Sequence, residues 1–177
     1  FFVELFTGIF SGSLALISDS AHMLTDVVGI CIALVAIKIA KRPADLKRTY
    51  GYYRFEILAP SFNAFLLLFV GIYIIYESYE RFTNKQNVEL KIGPMFWVAV
   101  VGLVINLISM KILSSGSKDN LNLKGAYLEV MNDMLSSVGV IIAAVLIKFT
   151  GWQWLDSIVA IAIAGFIIPR TWSLLKD

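Results

Sequence analysis

The sequence predicts an all-α membrane protein, a bundle of six transmembrane helices with both ends in the cytoplasm. Three observations carry that expectation. Hydrophobic residues make up 58% of the chain, charged residues only 16%, and the mean hydropathy is +0.78, well outside the soluble globular range. The apolar residues gather into long runs, most of which reach the ~20 residues that a helix needs to cross a bilayer core. The lysines and arginines, finally, fall unevenly between the connections, as they do in membrane proteins.

Taken in order, the first apolar segment covers residues 1–14 and is too short to span. The others cover about 15–40, 55–82, 93–113, 123–149 and 154–175. Five full-length runs in 177 residues argue against buried helices of a soluble protein. Gly8, Gly12, Pro60, Gly102 and Pro169 fall within these runs and are tolerable in membrane helices. Gly8 and Gly12 form a small-xxx-small face suited to close helix packing. The chain starts without methionine inside one apolar run and stops just after another. Residues 1–177 are therefore expected to be a transmembrane domain that lacks the start of its first helix and whatever follows its last.

Eleven lysines and arginines lie on one side, in the second-to-third and fourth-to-fifth connections and at the C-terminal end, against four (Arg81, Lys85, Lys91 and Lys148) on the other. The rule that basic residues stay inside puts both termini in the cytoplasm, with Trp152 and Trp154 at the outer interface. A net charge of +2 without a basic stripe offers nothing for nucleic acid. The lone Cys31 excludes an internal disulfide.

Two polar pairs interrupt the apolar pattern. His22-x-x-x-Asp26 lies in the second segment and Glu129-x-x-x-Asp133 in the fifth. A spacing of four puts both members of each pair on one helix face, about one turn apart. A charged side chain in hydrocarbon costs roughly 2.5–3.5 kcal/mol even on a lenient scale, so such residues mark function by default. Two facing pairs supply one imidazole and three carboxylates, a four-ligand cage for a divalent metal. The second segment runs outside to inside and the fifth runs back, with Asp26 and Asp133 each near the middle of its segment. A midplane site between antiparallel helices suits alternating access.

Neighbours on the wheel receive lesser roles. Asp19 lies within about 60° of His22 and Asp26, as a support of the helix start or an outer gate. Cys31 falls roughly opposite His22 and reads as packing. Gly125, Asn132 and Ser136 share the face of Glu129 and Asp133, with Asn132 orienting a ligand rather than being one. Asn63 and Asn106 read as interhelical glue. Glu4, Glu56 and Asp156 sit near segment ends, where caps or interface contacts are expected. One HxxxD pair in a soluble helix is mostly surface decoration; two acid-bearing pairs at matching depth are not.

Other classes fit less well. A membrane metalloenzyme lacks any HExxH-type signature here, and four protein ligands leave no open coordination position. A channel conflicts with a tight cage. A non-transporting partner subunit conflicts with ligands at all four positions.

At these residues the chain resembles the cation diffusion facilitator family, in its zinc-transporting, bacterial cobalt-zinc-cadmium efflux branch. The resemblance runs through SLALISDSAHMLTD, RTYGYYRFEILAPSFNAFLLLFVGIYIIYESYERF, NLNLKGAYLEVMNDMLSSVGVI and WLDSIVAIAIAGFIIPRTWSLLKD. It implies a multi-pass protein of the bacterial inner membrane that works as a homodimeric, proton-coupled antiporter. The cargo it implies is Zn²⁺, with Co²⁺, Cd²⁺ or Mn²⁺ as alternatives, moved out of the cytoplasm with no organic cofactor. It implies metal ligation by His22, Asp26, Glu129 and Asp133, and a cytosolic C-terminal domain outside these residues. Two positions depart from it: Glu129 stands where the zinc-transporting branch generally has histidine, and Tyr53 where relatives often have it. Carboxylate-rich sites are more hospitable to harder ions such as Mn²⁺. The connection SSGSKDNLNLK is short and lacks a histidine-rich insert.

Overall fold

Every apolar segment becomes a helix. A computed structural model describes residues 1–40, 54–83, 89–116 and 121–176. Its helices are α1 (Phe2–Ser11), α2 (Leu14–Ala40), α3 (Arg54–Thr83), α4 (Ile92–Ser114), α5 (Leu121–Thr150) and α6 (Trp154–Lys176). No strand occurs among the described residues. Tyr53 and the side chains of Glu56 and Asn63 lie outside the described part. By length and composition Leu14–Ile32, Ile92–Ser114 and Leu123–Thr150 can each cross a membrane, and Phe2–Ser11 and Trp154–Phe166 are shorter apolar stretches. Large hydrophobic side chains such as Phe69, Trp97, Ile112 and Phe149 are exposed on the outside of the bundle. This is the inside-out pattern of a helix bundle whose solvent is lipid.

The helices pack unequally. The most extensive contacts join α4 to α5 and α3 to α6, followed by α2 to α3. The contacts of α5 with α6 are sparser, and those of α2 with α5 sparser again. The buried apolar core lies toward one end: Leu14, Ala15 and Leu16 at the start of α2, Ile74 late in α3, and Met95 and Ala99 early in α4. Val140, Ala143, Ala144 and Ile147 late in α5 and Ala160, Ile163 and Ala164 in α6 complete it.

At that end sits the corner between α1 and α2. Gly12 closes α1 in the left-handed region (φ 74°), which glycine enters at no steric cost, and the Ser13 N–H returns to the Gly8 carbonyl at 3.0 Å. Gly12 is thus a helix cap rather than half of a packing face; Gly8 alone plays the packing role. A Cβ at Gly8 would come within 3.0–3.2 Å of Ile17 Cγ1, Ile17 N and Leu16 Cβ. Since Ile17 N is backbone, it cannot simply rotate away. Gly8→Ala should cost about 1–3 kcal/mol, read as a lower thermal-unfolding midpoint in detergent. An unchanged midpoint would mean that α1 slides freely on α2.

The first amides of α2 are satisfied from far along the chain. Asp156, 1% exposed at the start of α6, accepts from Ser13 Oγ and from Leu14 N–H, each at 2.6 Å, and from Ala15 N–H at 3.4 Å. A carboxylate accepting backbone N–H groups at a helix start is a charge-assisted cap placed at the favourable end of the helix dipole. Arg81 near the end of α3 donates from Nη1 to the Gly12 carbonyl at 2.7 Å and from Nε to Glu77 at 3.2 Å. The Lys91 N–H, just before α4, donates to the Ser11 carbonyl at 3.0 Å. Lys91 also places its ammonium 3.6 Å from the Phe10 ring centre, and Trp152 stacks on Trp154 at 5.6 Å. Aromatic and cationic groups of this kind populate a membrane–water interface. The expectation that Asp156 caps a segment is met, although the helix it caps is α2 rather than its own. Cys31, expected to pack, is instead exposed on α2.

Candidate metal centre

α2 and α5 each carry one polar pair to the place where they meet. Neither helix is broken between its two polar residues, so the four-residue spacing holds as one turn in each. Thr25, 4% exposed, donates its hydroxyl to the His22 carbonyl at 2.7 Å, which keeps that hydroxyl occupied on the backbone. On α5, Ser136 donates in the same way to the Asn132 and Asp133 carbonyls at 3.2 and 3.4 Å.

Across this junction His22 Nε2 lies 3.5 Å from Asp26 Oδ2 and 3.6 Å from Glu129 Oε1. One donor atom from each of His22, Asp26 and Glu129 falls within 4.8 Å of the other two. These spacings are longer than a good N–H···O hydrogen bond, which closes to about 2.7–3.2 Å. They are close to the separation of about 3.3–3.4 Å between neighbouring ligand atoms of a tetrahedral site with bonds of about 2.0–2.1 Å. The three groups are close enough together to contact a single ion.

Asp133 stands one turn further along α5. It is 9% exposed, and its Oδ1 has no hydrogen-bond partner. Its carboxylate is near enough to feel the charges of His22, Asp26 and Glu129, but it lies outside the tight group of three. A buried carboxylate oxygen without a donor is costly, and a bound cation satisfies it.

Asp19 is buried too, at 2% exposure, one turn from His22 toward the corner. It faces Ser136 of α5, with the carboxyls of Glu4 and Asp133 nearby. Asp19 therefore does not support the start of α2, which Asp156 holds. Glu4 is buried against α4, its Oε1 only 2.9 Å from where a Cβ on Gly102 would sit. The glycine makes room for the carboxylate. Asn106 is buried, as expected of interhelical glue. Asn132 is exposed toward a cavity of about 360 Å³ that reaches His22 between α5 and α6. Leu135, Gly139, Val159, Ile163 and Phe166 supply most of the remaining wall, so α6 borders the site although none of its lining residues is polar. Apolar wall residues leave no signature in a sequence, and this contribution of α6 was not legible there.

Residues 1–177 match the family model described as the cation efflux transmembrane domain. The chain belongs to the cation efflux family. It is 61% identical over 174 residues to the metal cation efflux system protein CzcD of Cupriavidus metallidurans, covering 98% of this chain and 54% of that protein. It is 43% identical over 177 residues to a cadmium, cobalt and zinc/H(+)-K(+) antiporter of Bacillus subtilis, covering 99% and 56%. With the zinc transporter ZitB of Escherichia coli it shares 42% identity over 176 residues, again 99% and 56%. The chain thus spans about half the length of the curated relatives it matches. Membership of the cation efflux family and the apolar helices make it an integral membrane protein of the bacterial cell membrane.

Proposed function

We propose that this chain is the membrane core of a proton-coupled exporter of divalent metal ions, with zinc as its principal cargo and cobalt and cadmium as further ones. The observation that carries the reading is the placement of one donor atom each from His22, Asp26 and Glu129 within 4.8 Å, with the buried Asp133 one turn away. In this reading all four residues ligate the ion, in a donor set of one imidazole and three carboxylates. The names of the relatives, which span zinc, cadmium and cobalt, support the cargo class. Export is transport rather than catalysis: the cargo leaves chemically unchanged, and four protein ligands leave no coordination position for an activated water.

The coupling follows from ligand chemistry. Carboxylates and imidazole bind metal only when deprotonated, so protons arriving on the far side compete for the same atoms and release the ion. His22 is the natural carrier, since imidazole titrates near neutrality. In whole protein reconstituted into proteoliposomes, His22→Ala should weaken zinc binding and also flatten the dependence of zinc flux on an imposed pH gradient. Flux that keeps its full gradient dependence would take the proton away from His22. The working unit we propose is a homodimer with both termini in the cytoplasm, supported by the family resemblance and by the distribution of lysine and arginine.

Glu129 supports a second reading of the cargo. A third carboxylate makes the donor set harder than a set with two histidines, which favours Mn²⁺ relative to zinc. Zinc and manganese flux measured side by side under one pH gradient separates the two.

A further inference from the structure

We propose that the α1–α2 corner is the fixed pivot of the transport cycle, and that Asp156 and Arg81 are the positioning residues that fasten α6 and α3 to it. The inference rests on the transport reading above, because a pivot matters only to a protein whose site changes sides.

The corner is where separate parts of the bundle are tied. α3 and α6, one of the two most extensively packed pairs, each send one charged side chain to it. Asp156 of α6 takes Ser13 Oγ and Leu14 N–H at 2.6 Å, and Arg81 of α3 holds the Gly12 carbonyl at 2.7 Å. The Lys91 N–H adds α4 through the Ser11 carbonyl. Ser11, Ser13, Leu14 and Ala15 are all at most 2% exposed. Pulling α6 off this corner would part a buried carboxylate from the two buried amides and the hydroxyl it satisfies. A join that expensive to break is one the cycle leaves intact.

The helices that frame the site are held to one another less firmly. α5 packs sparsely on α6 and on α2, and the cavity of about 360 Å³ opens between α5 and α6 beside His22. Gly139 of α5 and Val159 of α6 both line this cavity, and a Cβ at Gly139 would fall 3.4 Å from Val159 Cγ1. His22 and Asp26 lie eight and twelve residues past Leu14, about 12 and 18 Å along α2. A rotation of α2 by about 10° at the corner moves His22 by about 2 Å on that arm, enough to part its Nε2 from Glu129 Oε1 on α5, now 3.6 Å away. A fixed corner thus turns a small rotation into the making and breaking of the site.

Hydrogen exchange on the unmodified whole protein tests this without any variant having to fold. The Leu14 and Ala15 amides are first-turn amides whose acceptor is Asp156, so their protection reports the join itself. Their exchange should be equally slow with zinc bound and with zinc removed by chelator, while exchange around Glu129–Asp133 changes between the two. A rise of about tenfold or more at Leu14 and Ala15 in either state would make the corner a latch that opens, and would overturn the proposal. Asp156→Ala supplies the second readout. The maximal zinc flux should fall about tenfold or more while the zinc Kd stays within about twofold, because the ligands remain but their pivot is lost. Full flux in Asp156→Ala would overturn the proposal as well. Absence of zinc movement by the unmodified protein would instead sink the transport reading, and the exchange comparison, read on zinc binding alone, keeps the two failures apart.

Discussion

Asp133→Asn is expected to abolish zinc flux and to weaken zinc binding by at least about a hundredfold. The substitution keeps size and shape and removes only the charge, so packing around α5 should survive. On the proposed reading, what goes is one of three carboxylates offsetting a dication in a low-dielectric site. Removing one partner of a buried charge pair typically costs about 3–5 kcal/mol, or two to four orders of magnitude in affinity. The test is discriminating because Asp133 lies outside the group of three donors that fall within 4.8 Å of one another. Calorimetric titration of whole protein with zinc gives the affinity, and a zinc-sensitive dye inside proteoliposomes gives the flux. Zinc binding with its affinity retained in Asp133→Asn would reduce the centre to His22, Asp26 and Glu129, and would make the orphaned Asp133 oxygen a structural cost with some other cause.

The second large effect concerns selectivity. Glu129→His should raise the ratio of zinc to manganese transport by about tenfold or more, a change of about 1.4 kcal/mol in relative binding. Two causes act together. Imidazole is a softer donor that suits zinc, whereas carboxylates and water suit manganese. The change also lowers the number of carboxylates among the four residues from three to two, which loosens a harder cation held mainly by charge. Glu129 Oε1 sits 3.6 Å from His22 Nε2, so an imidazole built there starts next to His22. An unaltered ratio would place selectivity elsewhere and leave Glu129 as a charge-balancing group.

Much of this architecture was legible because it is written in local patterns. The helix ends follow from where apolar runs give way to Gly, Pro and charge, and the second through sixth segments match the observed helices to within about two residues. The polar pairs could be placed on shared faces because a spacing of four has one meaning on a helix. That α2 and α5 bring His22, Asp26 and Glu129 together is a tertiary fact, anticipated only through the cost of leaving such residues in lipid. Other features were not legible, each for a definite reason. The partner of Asp156 is about 140 residues away, and no periodicity reports such a pairing. Gly12 fits a small-residue face and a left-handed cap equally well on paper, and its φ of 74° decides for the cap. The angle of Cys31 from His22 says only that it avoids the site, not whether a helix or lipid covers it, and the structure leaves it exposed. Asn132 points toward a cavity whose other wall is apolar, so nothing in its neighbours' chemistry announced that wall.

The link between Asp156 and the start of α2 also bears on how the molecule is made. During synthesis α2 emerges and enters the bilayer long before α6 exists, since the bonded residues are 142 and 143 positions apart. Until then the Leu14 amide lacks the acceptor that the finished fold gives it, and α2 can settle at more than one depth or rotation. Arrival of α6 removes that freedom, fixing His22 and Asp26 in register only once Asp156 is in place. On the proposed reading, the two halves of the metal centre thus reach their final alignment only after α6 has joined the bundle, and a protein caught before that would be inserted but unable to grip its ion.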